Sequence, residues 1–258
     1  SVTWTGTNSY FVINNEVLQS NGPNSNTNTV GDTIYLSTPN TMMDATEWSF
    51  LLDLKFNPTA DNIVRIYLVS DNADLRQNLN GYFIEMGQTN ADYVKFYKQS
   101  GALRTLLFTG TTAYSASTVK TMIKVTRSAS GSWKIYSDPT AAGIIYLPEG
   151  DSIVDNTFSS TAYFGVYCQY KTDSRYNQYY FDDFYVGTIH ADTVAPAVLS
   201  VTALNDSSVK VLFSESLGQS SAENTANYSV QGIGNPVTAS RDLSNMALVT
   251  LTFSGGTF

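Results

Sequence analysis

The sequence predicts an all-β chain: a jelly-roll β-sandwich followed by a second, incomplete β-sandwich. Three observations predict it. Apolar and polar residues alternate with period two through a long series of short segments. Clusters of Gly, Asn, Asp and Ser punctuate them. No segment keeps an apolar 3.6-residue period over three turns, and Asp71–Leu79 is expected to form one helical turn at most. Many short strands joined by turns suit two packed sheets.

The expected strands run Tyr10–Leu18, Asp32–Ser37, Trp48–Phe56, Ile63–Ser70, Tyr82–Gly87, Tyr93–Lys98, Leu103–Thr109, Lys120–Arg127, Ser132–Ser137, Tyr163–Tyr170 and Tyr179–Val186. Turns are expected at Asn21-Gly-Pro-Asn-Ser-Asn-Thr-Asn, Asn80-Gly, Gln99-Ser-Gly, Ser130-Gly, Ser137-Asp-Pro and Glu149-Gly-Asp. The stretch Asp192-Thr-Val-Ala-Pro-Ala-Val reads as a seam, with 1–190 as the first module, 191–197 as linker and 198–258 as the second. After the seam, Val209–Glu215, Tyr228–Val230 and Leu248–Phe253 are the clear strands, and this part covers only about 60 residues, against about 100 for a complete immunoglobulin-type sandwich. The second module therefore reads as cut short.

Alternation assigns faces. Val64, Ile66 and Leu68 oppose Arg65 and Tyr67; Tyr82, Ile84 and Met86 oppose Phe83 and Glu85; Val94 and Phe96 oppose Lys95 and Tyr97. Likewise Trp133 and Ile135 oppose Lys134 and Tyr136, and Phe164, Val166 and Cys168 oppose Tyr163, Tyr167 and Gln169. Apolar burial makes the first face of each pair the core.

Composition narrows the function. The chain has 258 residues, 17 Tyr, 13 Phe, only 14% charged residues and a net charge of −8. An acidic surface repels nucleic acid and anionic membranes, so neither is an expected partner. One Cys and one His rule out an internal disulfide and make a protein zinc site improbable. No apolar run is long enough to insert into a membrane. The chain does not begin with Met, so a mature or trimmed secreted protein is expected, extracellular or on the outer cell surface.

Residues 3–186 resemble the concanavalin/laminin-G-like jelly-roll module of secreted bacterial proteins that carry a lamin-tail domain. The resemblance is carried by Ile34-Tyr-Leu-Ser-Thr, Trp48-Ser-Phe, Arg65-Ile-Tyr-Leu-Val-Ser-Asp-Asn, Asn80-Gly-Tyr-Phe-Ile, Val125-Thr-Arg, Tyr163-Phe-Gly-Val-Tyr-Cys and Phe181-Asp-Asp-Phe. Residues 192–258 resemble the front of a bacterial immunoglobulin-like domain of the surface-layer type, through Asp192…Pro196, Val209–Glu215, Asn227-Tyr-Ser-Val and Val249-Thr-Leu-Thr. Neither resemblance carries an established activity, since one fold hosts many functions.

Two sites are expected. The first is a polar-aromatic face of Arg65, Tyr67, Glu85, Lys95, Tyr97, Tyr136, Tyr167 and Gln169, with Lys134 beside it. Tyr rings stack on sugar rings while charged and amide groups bond hydroxyls, so the expected ligand is a glycan; an ordinary exposed strand face is the plainer reading. The loop Gln169–Tyr180, with Tyr170, Arg175, Tyr176, Tyr179 and Tyr180, is a rim version of the same idea. The second is Asp182 and Asp183. The resemblance to jelly-roll carbohydrate-binding modules implies structural Ca²⁺ there, drawing on oxygens of the N-terminal segment; a strand-end Asp bonded to backbone is the alternative. Asp71-Asn72-Ala73-Asp74 is a weaker metal candidate and reads as a solvated turn.

No Gly-x-Ser-x-Gly, His-Glu-x-x-His or phosphate-binding Gly loop occurs, nor the Glu-x-Asp-x-x-Glu of jelly-roll glucan hydrolases. The expectation is a secreted or surface non-catalytic binding module. The alternatives are a structural or adhesion spacer that contacts other surface proteins, and a glycoside hydrolase with carboxylates from distant strands.

Overall fold

The structure, a computed structural model, describes residues 2–24, 32–87, 92–114, 117–190, 195–243 and 245–255. Residues 25–28 of the expected Asn-rich turn, 191–194 of the expected linker and 256–258 lie outside the described residues. The chain divides into two compact units, residues 1–143 with 148–190 and residues 144–147 with 191–258.

In chain order the strands are β1 (Thr5–Gly6), β2 (Phe11–Asn14), β3 (Val17–Ser20), β4 (Asp32–Pro39), β5 (Thr46–Leu54), β6 (Ile63–Ser70), β7 (Leu79–Met86), β8 (Lys95–Gly101), β9 (Leu103–Thr109), β10 (Val119–Arg127), β11 (Ser132–Asp138), β12 (Leu147–Pro148), β13 (Ile153–Val154), β14 (Tyr163–Tyr170), β15 (Tyr179–Thr188), β16 (Val198–Asn205), β17 (Ser208–Phe213), β18 (Thr238–Arg241) and β19 (Leu248–Thr252). In the first unit, one sheet has seven strands in the order β1-β4-β14-β6-β7-β8-β9. The other has eight, β12-β11-β10-β5-β15-β3-β2 with β13 on β11. The first unit is thus the expected jelly-roll β-sandwich.

The core forms where the two inner faces meet. Val64, Ile66, Leu68, Tyr82, Ile84, Met86, Phe96, Phe164 and Val166 come from the seven-stranded sheet, and Trp48, Phe50, Leu52, Ile123, Val125, Trp133 and Phe181 from the other. Rings bridge the layers: Tyr82 lies 4.8 Å from Trp133, which stacks on Trp48 at 5.6 Å. Each alternation assigned from sequence holds in this core. Cys168 is fully buried in it, and burial drives its thiol pKa well up, so it serves as a small hydrophobe.

Local chemistry departs from expectation in places. The expected strand Tyr10–Leu18 is a hairpin, β2–β3, turning at Asn15-Glu16 with φ of 50° and 69°. Two successive positive φ values are the geometry that matches strand twist in a two-residue hairpin. Asp71–Leu79 stays within the one turn at most that was expected: it is a loop ending on β7, with the Gln77 N–H donating to the Asp74 carbonyl at 3.1 Å.

In the second unit, β16-β17-β19-β18 form one antiparallel sheet. Val209, Val211, Ala222, Val249, Leu251 and Phe253 are its core. The expected strand Tyr228–Val230 is instead irregular, with a single bridge from Val230 to Gly234, and follows a 3₁₀ turn at Thr225–Asn227. Asn224 caps that turn by accepting from the Ala226 N–H at 3.1 Å, a local bond that competes with strand pairing.

Candidate functional site: a polar hollow on the seven-stranded sheet

Antiparallel register arranges the outer face of the seven-stranded sheet in rows, because directly paired residues share a face. One row runs Tyr35–Tyr167–Arg65–Glu85–Lys95–Thr109. The next runs Ser37–Gly165–Tyr67–Phe83–Tyr97–Leu106. Arg65, Tyr67, Glu85, Lys95, Tyr97, Tyr167 and Gln169 therefore do stand on one face. Tyr136 does not. It lies on β11 in the other sheet, with Lys134 two residues before it, and its ring contacts Lys124 at 5.1 Å. The pattern of β11 is identical in kind, but period-two alternation says which side of a strand is polar, not to which sheet the strand belongs.

The face is also not an open platform of tyrosines. Tyr67 is fully buried and Tyr167 and Arg65 are each only 5% exposed. Tyr35, Tyr67, Leu75, Leu79, Phe83 and Tyr167 form a second apolar cluster against which Tyr97 packs. Leu75 and Leu79 belong to the segment that covers one end of the face. That segment is held by its own polar side chains. Asn72 Oδ1 accepts from the Asp74 N–H at 2.9 Å, and Asp74 Oδ1 from the Arg76 N–H at 3.0 Å. Asp71 accepts from the Asn80 backbone and side chain, both at 2.8 Å. Arg76 lowers the Asp74 pKa to about 2. These carboxylates are thus engaged within the loop, the solvated-turn reading. Gly165 leaves the room for Leu75: a Cβ there would meet Leu75 Cδ1 at 2.8 Å.

Beyond the covered end the face opens into a hollow of about 460 Å³ lined by Ala60, Ile63, Arg65, Glu85, Gly87, Tyr97, Arg104 and Gln169. Arg65 is the buried cation of this lining. Its Nε donates to Glu85 Oε2 at 2.7 Å, and its guanidinium lies 4.9 Å from the Tyr167 ring and 5.4 Å from Phe83. Burial opposes the charge on Arg65, but Glu85 with Tyr67 and Tyr167 outweighs it and raises the pKa. Arg65 Nη1 is buried with no hydrogen-bond partner. Tyr97 stacks on Phe83 at 5.1 Å with planes 9° apart. Tyr67 donates to Gln99 Oε1 at 2.9 Å, and burial pushes its phenol up to about 12. Four lining residues, Ala60, Ile63, Gly87 and Arg104, escaped sequence reasoning. Arg104 sits on β9, whose alternation was not assigned. Ile63 shares the face of Arg65. Gly87, at φ 136°, ends β7 where a Cβ would strike Ile63 Cα at 2.8 Å.

The rim loop turns inward rather than outward. Tyr170 and Tyr179 are buried, with hydroxyls on the Pro23 and Gln169 carbonyls at 2.9 and 2.6 Å, and Tyr176 packs against the core. Tyr180 is half-buried and bonds Gln19 at 2.7 Å. Arg175 lies over Phe56 at 5.0 Å.

Asp182 and Asp183 sit where β15 bulges, between Asp182 and Tyr185. Asp183 is exposed at φ 50° and its N–H donates to Asp182 Oδ1 at 3.0 Å. Asp182 borders a second hollow of about 370 Å³ together with Asn8 and Glu16 of the N-terminal segment, among Trp4, Phe11, Ile13, Phe181 and Phe184. Among the described residues no group of three or more His, Cys, Asp or Glu side chains comes together. His190 Nδ1 is 2.9 Å from Glu47 Oε1, and its ring lies against Tyr185 at 4.4 Å.

No protein-family model matches the chain, and no curated protein matches it in sequence. Solved structures do. The exoplasmic/lumenal domain of VIP36 in its Ca²⁺/Man3GlcNAc-bound form superposes with a TM-score of 0.52 at 12% identity, covering 75% of this chain and 86% of that one. Its Ca²⁺/Man-bound form gives 0.51 at 14%, over 75% and 85%. The Emp47p carbohydrate recognition domain gives 0.50 at 13%, over 72% and 86%. Identity this low establishes a shared fold, the concanavalin-like β-sandwich. It bears out the coarser of the expected resemblances; nothing in these likenesses speaks for the lamin-tail or surface-layer specifics.

Proposed function

We propose that the chain is a non-catalytic carbohydrate-binding module, secreted or displayed at the cell surface, and that it binds glycan in the hollow around Arg65. One observation carries the reading: a buried guanidinium, held by Glu85 and two rings, lines an open hollow together with Tyr97, whose ring is backed on one face by Phe83. An apolar ring face and convergent polar groups are what a sugar needs, and a preformed hollow lowers the cost of ordering the site. The fold supports it, since the VIP36 and Emp47p domains that share it carry sugar or are named for carbohydrate recognition. Glycoside hydrolysis needs two carboxylates flanking one bond. Glu85 is the carboxylate among the described residues of the lining, and it is committed to Arg65. The test is a glycan array on the intact chain, followed by calorimetry with the best ligand. Wild type binds with Kd between about micromolar and millimolar, and Tyr97→Ala removes binding while the melting curve keeps its shape. An array without a single hit refutes the reading.

A cation at Asp182 is the second element of the proposal. Glu16 and Asn8 share its hollow, as the expectation of N-terminal oxygens requires, and VIP36 was solved with Ca²⁺. Calcium takes about six to eight oxygens, so backbone carbonyls and water would complete the set. A native-state ion raises stability by RT ln(1 + [L]/Kd), about 2.7 kcal/mol at a hundredfold excess over Kd. Calcium should raise Tm and Asp182→Asn should cancel the rise; a melting curve indifferent to chelator removes the cation from the proposal.

A further inference from the structure

The hollow concentrates positive charge in a protein that is otherwise acidic. The chain has 14 Lys and Arg against 22 Asp and Glu. The lining reverses that balance, with Arg65 and Arg104 against Glu85. Glu85 answers only part of this charge. Its Oε2 takes Arg65 Nε, while Arg65 Nη1 is buried with no acceptor. Arg104 is exposed and forms no salt bridge among the described residues. Both guanidinium groups act on the same spot: each draws down the pKa of Tyr67 and of Tyr167 against the rise that burial causes.

We infer that the hollow takes an acid-bearing sugar, with the carboxylate or sulfate oxygens between Arg104 and Arg65 and the ring against Tyr97. The inference rests on the carbohydrate-binding reading and names the ligand class for it. Arg65 and Arg104 both line the hollow, and Arg104 is exposed there, so an anion bound in it meets two guanidinium charges against the single carboxylate of Glu85. Hydrogen bonds from a guanidinium to an anion are about twice as strong as neutral ones. A neutral sugar offers these groups hydrogen-bond acceptors but no counter-charge. An acidic one answers both, and the −8 net charge of the whole chain disfavours indiscriminate capture of anions, so attraction has to be local.

The test is calorimetry on the intact chain at about 50 mM salt with three oligosaccharides of equal length: an oligogalacturonide, its carboxyl-reduced neutral counterpart, and a sulfated neutral chain. An acid-bearing ligand should bind at least tenfold tighter than the neutral one, about 1.4 kcal/mol, and lose affinity as salt rises. Arg104→Gln, an exposed position whose change leaves the melting curve in place, should remove most of that advantage. Preference for the uronide assigns the anion to a carboxylate, and preference for the sulfated chain to a sulfate ester. Equal or tighter binding of the neutral chain, or an Arg104→Gln protein that keeps the preference, overturns the acidic ligand and leaves the carbohydrate reading standing. Binding of none of the three, with no hit on a wider array, overturns both.

Discussion

Removing Glu85 should destabilise the sandwich far more than removing Glu85 and Arg65 together. The two side chains are 12% and 6% exposed and meet at 2.7 Å. Glu85→Leu leaves the guanidinium in a site enclosed by Phe83 and Tyr167 with no counter-charge. Breaking a buried pair from one side costs about 3–5 kcal/mol, most of it the desolvation of the charge left behind. Arg65→Met strands the carboxylate instead. Its cost should fall at the lower end of that range, because Lys95 is its neighbour across the strand pair. The double variant, Arg65→Met with Glu85→Leu, has no charge to strand. It loses the contacts of Arg65 with the two rings, about 0.5–2 kcal/mol, and gains apolar contact on a face that already holds a hydrophobic cluster. Its net cost should be within about 2 kcal/mol of wild type, so the cycle should show a coupling of at least about 3 kcal/mol. The assay is urea unfolding monitored by tryptophan fluorescence. Trp4, Trp48 and Trp133 are the three tryptophans and all lie in the first unit, so the signal reports that unit alone. Additive single-variant costs, or a coupling under about 1 kcal/mol, would refute the account of Arg65 as a charge held in place by Glu85.

Three further outcomes are expected. Tyr136→Ala should leave glycan affinity unchanged within about twofold, because Tyr136 is on the opposite sheet; calorimetry showing a loss like that of Tyr97→Ala would contradict the placement. Burial alone would raise the Asp155 pKa, but hydrogen bonds from Lys98 at 2.7 Å and Tyr82 at 2.5 Å draw it down to about 2 from 3.8. A depressed carboxylate stabilises the fold above its ordinary pKa and loses that effect as pH falls toward about 2, so the stability gap between wild type and Asp155→Asn should narrow between about pH 6 and pH 2.5, and a gap that stays constant in urea midpoints would contradict it. Finally, residues 1–190 expressed alone should fold with a cooperative thermal transition, since the core described for the sandwich lies within them; a broad, non-cooperative melt would show that the sandwich depends on residues 191–258.

The side of each strand that faces the core was legible in the residues themselves. Alternation in Ile63–Ser70, Tyr82–Gly87, Tyr93–Lys98 and Tyr163–Tyr170 correctly put Val64, Ile84, Phe96 and Val166 inside and Arg65, Glu85, Tyr97 and Tyr167 opposite them. This works because successive side chains leave a strand on opposite sides and burying the apolar ones dominates the energy. The same local rule is blind to pairing between distant strands. It gave Tyr136 the same standing as Tyr97, although β11 pairs with β10 and β8 with β7. It took Tyr67 and Tyr167 for surface residues, because nothing within either strand announces that Leu75 and Leu79 will fold over them. Arg104 gains its meaning only from the register that sets β9 beside β8. The all-β character and the polar-aromatic composition of the face are local properties, set by propensity and alternation. Which of those residues share a sheet, which are covered, and where a buried guanidinium borders open space depend on long-range pairings, and those exist only once the chain has folded.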